Sequence, residues 1–315
     1  MGHLAATRRW GALCAALALA GCQMAPTARG DGAGPAAGPA SAAAPAVAAT
    51  PPAAARRPAP RLGLALGGGA ARGFAHIGVI QVLEEAGIRP DLVVGTSAGS
   101  LVAALWASGK GAHELAAIAL TMDEGALTDW SFPGRGLIRG EALARYVREQ
   151  TAGRPIEQMK LPLGILATDL DSGAPMLFRR GDTGTAVRAS SAVPALFQPV
   201  RIGAHEYVDG GLVSPVPVRF ARQMGADLVL AVDISSPPEG NATGDALKML
   251  LQTFAIMSRS INRFELEEAD VVVRPALLGV SSADFTSRLR AIRAGREAAS
   301  RLLPQLQAKI AGWAP

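Results

Sequence analysis

The chain has 315 residues, 49% hydrophobic and 18% charged, enough apolar material for the core of one large domain or two ordinary ones. Its formal charge of +5 is spread along the sequence without a run of five like charges, which argues against a nucleic-acid footprint and favours an anionic membrane surface only weakly. Both cysteines, Cys14 and Cys22, lie near the N-terminus, so the rest of the chain has no disulfide, thiolate metal site or cysteine nucleophile.

Arg8 and Arg9 precede an apolar run from Trp10 to Ala20, too short for a spanning helix and patterned as a secretory signal. The run ends in Leu19-Ala20-Gly21-Cys22, which resembles the lipobox of bacterial lipoproteins. That resemblance implies removal of residues 1–21 and acylation of Cys22. Gln23 rather than Asp follows, which implies the outer membrane of a bacterial cell envelope, on its periplasmic side. The alternative is an ordinary signal peptide with an incidental cysteine. Residues 22–60 are rich in Ala, Pro and Gly and nearly devoid of large apolar side chains. Such a segment buries too little surface to offset its ordering entropy and reads as a disordered tether. The folded domain is expected over residues 61–315.

Leu62–Leu66 reads as a buried strand, and Gly67, Gly68 and Gly69 follow it as a turn. Phe74, Ile77, Ile80 and Leu83 recur at helical spacing up to Gly87. Glycines at such a strand–helix turn leave backbone N–H groups open to an anion at the helix start. The strict G-x-G-x-x-G of dinucleotide sites is broken, because Arg72 stands where its last glycine belongs. A second strand, from Leu92, then runs into Gly95-Thr96-Ser97-Ala98-Gly99, and a helix follows to Gly109. This is the G-x-S-x-G spacing of a nucleophile elbow, in which a sharp turn exposes the serine hydroxyl. A serine that merely caps the helix is the plainer alternative.

Further strands are expected in the runs beginning at Leu161, Pro175, Asp227 and Asp270. Helices are expected across 140–150, 217–224, 244–269 and 284–310. Strands alternating with helices predict an α/β fold whose largely parallel sheet is covered on both faces. The apolar helix at 244–269 suits a core position better than a lipid-facing one. It and the stretch Thr128–Ile138 are the candidates for acyl-pocket or membrane-facing segments. Asp169, Asp171 and Asp182 read as loop acids without a calcium pattern, and no metal is expected.

A serine hydroxyl needs a base, and the chain has only four histidines. His3 lies in the signal, His76 in the first helix, and His113 at the start of a polar-faced helix. His205 sits four residues before Asp209. In the α/β-hydrolase order the histidine follows the acid, and no histidine follows His205. Asp209, ahead of Gly210 and Gly211, is the other candidate, since a partly desolvated carboxylate can serve as base. Capping the turn before Pro215 is its structural alternative.

The motifs Gly67–Gly73, Gly95–Gly99 and Asp209–Gly211, in this order, resemble those of the patatin-like phospholipases. So do the blocks Ala167–Gly173, Val187–Val200, Tyr207–Val218 and Met224–Ile234. The resemblance spans about Leu62 to Leu303. It implies a three-layer α/β/α sandwich with a mostly parallel central sheet, Ser97 as nucleophile and Asp209 as its base. It further implies an oxyanion hole from the amides of Gly68, Gly69 and Ala70, in a loop with Arg72 and Gly73. The elbow and turn glycines are Gly95, Gly99, Gly210 and Gly211. The implied activity is hydrolysis of acyl esters in phospholipids or other lipids, without cofactor, metal or nucleic-acid partner, at a membrane surface held by the lipid anchor. Many members have glycine where this chain has Ala70; the amide survives that exchange provided φ there is negative. Two rival readings are a silent scaffold lipoprotein of the same fold and a dinucleotide-binding oxidoreductase with Asp91 on the ribose. The second leaves Ser97 and Asp209 without a role.

Overall fold

Leu62–Leu66 forms β1, wholly buried, as an unbroken aliphatic run requires of a strand covered on both faces. The computed structural model describes residues 59–123, 125–130, 135–235, 243–280 and 284–314. The expected signal segment (1–21), Cys22 and nearly all of the tether lie outside these residues. After β1 come α1 (Phe74–Glu85), β2 (Leu92–Thr96), α2 (Ala98–Ala107), α3 (Ala112–Thr121), β3 (Gly136–Ile138) and α4 (Glu141–Gln150). The chain continues through β4 (Leu163–Asp169), β5 (Pro175–Phe178), α5 (Thr183–Ser190), β6 (Ala195–Phe197), β7 (Val200–Ile202) and β8 (His205–Asp209). It ends with α6 (Val218–Gln223), β9 (Leu228–Val232), α7 (Ala246–Glu265), β10 (Val271–Val273) and α8 (Arg288–Ala311).

The main sheet has the order β10-β9-β1-β2-β4-β8-β7, with β5 also paired to β4; β3 and β6 form a small second sheet. From β10 to β4 every pairing is parallel, whereas β5, β7 and β8 run antiparallel to their neighbours. Alternate strand residues feed two cores. Leu62, Leu64 and Leu66 of β1, with Leu228 and Leu230 of β9, pack under α1, α2, α3 and α8. Ala65, Val229 and Ala231 face the opposite side, against α6. The result is a three-layer α/β/α sandwich with a mostly parallel central sheet.

Helix α1 is clamped by α8 at two glycines. A Cβ on Gly78 would lie 1.9 Å from the Ile292 carbonyl oxygen, and one on Gly295 would lie 1.9 Å from that of Ala75. No side chain fits between the two backbones, so the pair sets the helix that follows the glycine loop.

Helix α7 departs from the expected core position. Met249, Ile256 and Phe264 are exposed, at 59%, 51% and 68%, and only Asn262 and Glu265 of the helix are buried. One apolar stripe, Leu247, Leu250, Phe254 and Ile261, is half-buried, while Met249, Ile256 and Phe264 lie off that stripe and stay uncovered. Among the described residues, no helix is long and apolar enough to cross a membrane.

Candidate active site

The sheet register brings Ser97 and Asp209 together. The last residue of β2, Thr96, pairs with Leu166 of β4, and the last residue of β8, Asp209, pairs with Ala167. Leu177 and Met176 of β5 occupy the other edge of those same two β4 residues. β2 and β8 therefore approach end to end along one edge of β4, from opposite directions. Their terminal residues stand one strand position apart, roughly 3.3 Å along β4.

Ser97 leaves β2 with φ 52° and ψ −125°, a conformation that costs a non-glycine residue on the order of 1–3 kcal/mol. The surroundings hold it there. Its N–H donates to Ser190 Oγ at 2.9 Å, and Ser190 in turn donates to the Leu166 carbonyl at 2.5 Å. Its carbonyl accepts from the Ser100 backbone N–H at 2.8 Å and the Ser100 hydroxyl at 2.7 Å. The turn also needs its two glycines. A Cβ on Gly95 would meet the Gly99 carbonyl carbon at 2.5 Å, and one on Gly99 would meet the Leu66 oxygen at 2.1 Å. Ser97 thus sits at the N-terminus of α2, where the helix dipole favours negative charge.

Asp209 is 5% exposed, and burial pushes its carboxyl up to about 6. Two hydrogen bonds work against that shift: the Gly211 N–H donates to Oδ1 at 2.7 Å, and the Ser97 hydroxyl is its side-chain partner. Its backbone is fixed by Thr168 Oγ1, which donates to the Asp209 carbonyl at 2.8 Å, and by its own N–H to Ala192 O at 3.0 Å. Gly210 allows the close turn, since a Cβ there would lie 2.3 Å from the Leu166 oxygen. A carboxylate that changes state near neutral pH, against a serine hydroxyl, has the proton affinity a general base requires.

The glycine loop passes over Ser97: a Cβ on Gly68 would lie 3.1 Å from Ser97 Cβ, and one on Gly73 would lie 2.8 Å from Ala98 Cβ. The expected trio of amide donors is narrowed here. The Gly68 N–H donates to the Pro215 carbonyl at 2.9 Å, which occupies it. Among the described residues, the Gly69 and Ala70 amides have no backbone acceptor and remain open. Ala70 has φ 49°, not the negative value its side chain prefers, so it holds a glycine-like conformation at a cost of about 1–2 kcal/mol. Its amide therefore points as a glycine's would. Arg72 is buried, which lowers its guanidinium to about 10 while Asp233 partly restores it; it remains a cation in the loop.

None of the described histidines competes for Ser97. His76 is fully buried and Nε2 lies 2.8 Å from the Gly67 carbonyl, an acceptor, so the proton is on Nε2. Burial lowers His76 to about 4, and it ties down the glycine loop as a neutral donor. His113 is exposed on α3. His205, at the far end of β8 and roughly 13 Å along the strand from Asp209, is exposed and pairs through Nδ1 with Asp169 Oδ2 at 2.8 Å. Asp169 is consequently no loop acid but the last residue of β4, and Asp182 caps α5 by accepting from the Thr185 N–H. Among the described residues, no group of three or more His, Cys, Asp or Glu could hold a metal ion.

A sequence model of the patatin-like phospholipases matches residues 64–222, a span that holds the glycine loop, the Ser97 turn and Asp209. The chain belongs to the patatin-like phospholipase family. It is 34% identical over 220 residues to an uncharacterized NTE family protein of Mycobacterium tuberculosis, covering 66% of this chain and 61% of that protein. It is also 34% identical over 196 residues to patatin-like phospholipase domain-containing protein 6 of Mus musculus, covering 59% of this chain and 14% of that one. The chain thus spans less than two thirds of the length of either relative. VipD from Legionella pneumophila shares the fold, with a TM-score of 0.56 at 16% identity over 79% of this chain and 67% of VipD.

Within this patatin-like domain, sequence reading did not single out Ser190, Thr168 or Pro215, which hold Ser97, Asp209 and Gly68 in place. Ser190 lies inside the block Val187–Val200, noted only for its resemblance. With Arg188 and Ser191 beside it at the end of α5, nothing in its local sequence marks Ser190, and its partner could not be inferred without the fold.

Proposed function

We propose that this protein is a serine lipid acyl hydrolase working through Ser97 and Asp209, with the Gly69 and Ala70 amides as the oxyanion hole. Asp209 accepts the hydroxyl proton as Ser97 Oγ bonds to the ester carbonyl carbon. The oxyanion is met by the two open amides and the start of α2. The ester C–O bond then breaks, the alcohol leaves with the proton from Asp209, and an acyl-serine remains. Water, losing a proton to Asp209, attacks the acyl-serine; the bond between the acyl carbon and Ser97 Oγ then breaks, Oγ takes that proton back from Asp209, and the fatty acid leaves. The observation that carries this reading is the meeting of β2 and β8 on adjacent residues of β4, with a buried carboxylate of raised proton affinity facing the serine. Family membership supports lipid acyl esters such as phospholipids or lysophospholipids as the substrate class.

A fluorophosphonate probe tests it: wild-type protein labels and Ser97→Ala does not, whereas an unlabelled, folded wild type refutes the hydrolase. We extend the proposal to Cys22 as a lipid anchor in the bacterial envelope. Cys22→Ser then moves the protein from the membrane fraction to the soluble one, and unchanged partitioning overturns the anchor.

A further inference from the structure

A cavity of about 510 Å³, counting its open mouth, lies between α1, α2 and α3. Its mouth is at Ala70, which is exposed, and Ala98, which is half-buried, so it opens beside Ser97. Its walls are Phe74 and Ile77 of α1, Leu101 and Leu105 of α2, and Leu115 and Ala119 of α3. No charged residue lines it. Leu105, late in α2, and Leu115, early in α3, line the part furthest from Ala98 and are buried at 5% and 2% exposure.

The side walls are held in place from the start of α8 and the turn before it. Phe285 packs edge-on against Phe74 at 6.2 Å, and the Arg288 guanidinium sits 5.7 Å above the Phe74 ring. The same guanidinium donates to the Ala119 carbonyl at 3.0 Å, joining the start of α8 to the end of α3. A packing defect would be sealed; this space is pre-formed and apolar, and its lining reaches Ala98, the residue after Ser97, as a ligand site beside the serine would.

We infer that this cavity is the acyl-chain site, taking one alkyl chain from Ser97 into the core between α1, α2 and α3. The inference rests on the hydrolase reading above. Once the carbonyl carbon is bonded to Ser97 and its oxygen faces the Gly69 and Ala70 amides, the alkyl substituent needs an apolar path away from both, and the cavity lined by Ala70 and Ala98 lies beside them. Depth follows from α2: Ala98 and Leu105 are seven residues apart, roughly 10 Å along the helix axis. An extended chain advances roughly 3.5 Å per three bonds, so the site holds about eight to ten carbons. The described residues of Thr128–Ile138 and helix α7, the segments composition suggested, are not among its lining.

The test is a chain-length profile with p-nitrophenyl esters from acetate to palmitate, on the full chain. Each added methylene raises kcat/KM by up to about fourfold, and the rise ends at about eight to ten carbons. Ala119→Phe projects a ring into the cavity and lowers the octanoate-to-acetate ratio of kcat/KM at least tenfold. Leu105→Ala deepens the site and moves the optimum to longer chains. A profile that keeps its shape in both variants, with Ser97 still labelled by a fluorophosphonate, overturns the acyl site and leaves the hydrolase standing. A second measurement titrates octanoate into the Ser97→Ala protein and into its Ala119→Phe double variant. Binding to the first but not the second, with a wild type that never labels, keeps the apolar-chain site and removes the hydrolase.

Discussion

Replacing Asp209 by Asn removes the buried charge and keeps its shape. The Asn Oδ1 can still accept from the Gly211 N–H, now at 2.7 Å from the aspartate oxygen, and its amide can donate to the Ser97 oxygen. Burial raises the carboxyl from 3.8 to about 6. When ionised, that shift costs the folded state about 3 kcal/mol at 1.36 kcal/mol per pH unit. The sign is that of a raised acid: the folded protein binds the proton more tightly than the unfolded chain. Wild-type stability therefore falls as pH rises from about 4 to about 6, and the cost is complete above that. Asp209→Asn escapes it, and is more stable than wild type by about 3 kcal/mol at pH 8 and by roughly half as much at pH 5.

His76 acts in the same window with the opposite sign. Its folded value, about 4, lies below the unfolded value of 6.5, so its contribution is lost as pH falls from 6.5 towards 4. In wild type the two effects offset each other, and only the difference between the proteins isolates Asp209. The assay is urea unfolding of both proteins at pH 5 and pH 8, beside ester hydrolysis. Wild-type kcat/KM rises with an apparent pKa near 6 and levels off, while the variant is inactive throughout. A stability difference that does not grow between pH 5 and pH 8, or substantial activity in the variant, refutes the reasoning.

Ser97→Gly relieves the positive φ at the turn, so it raises stability by about 1 kcal/mol in thermal unfolding while fluorophosphonate labelling disappears. Gly295→Ala drives a methyl group into the Ala75 carbonyl between α8 and α1, and lowers stability by about 1–3 kcal/mol or more by denaturant titration. His113→Ala and His205→Ala each retain a substantial part of the esterase activity, measured as kcat/KM. A folded His variant as inactive as Ser97→Ala would overturn aspartate as the sole base.

Much of what is local was legible in the sequence, because the physics behind it is local, though the short strands β3, β6 and β7 and the strand end at Asp169 were not. The G-x-S-x-G spacing encodes a turn that only small neighbours permit, and the Cβ contacts at Gly95 and Gly99 bear that out. Helical spacing from Phe74 to Leu83 and the aliphatic runs of β1, β2 and β9 placed the elements of the parallel half, and counting histidines pointed to Asp209. Pairings across the sheet were not legible, since a strand carries little record of which neighbour it meets. The antiparallel return of β8 onto the edge of β4, where it meets β2, is what makes a site of two residues far apart in sequence. Which loop amides stay open was likewise decided by Pro215, a residue from another element that takes the Gly68 N–H. The exposure of α7 and the cavity between α1, α2 and α3 belong to the same class. Apolar composition says that a surface seeks burial, but only the packed fold decides which surfaces find a partner and which leave room for a ligand.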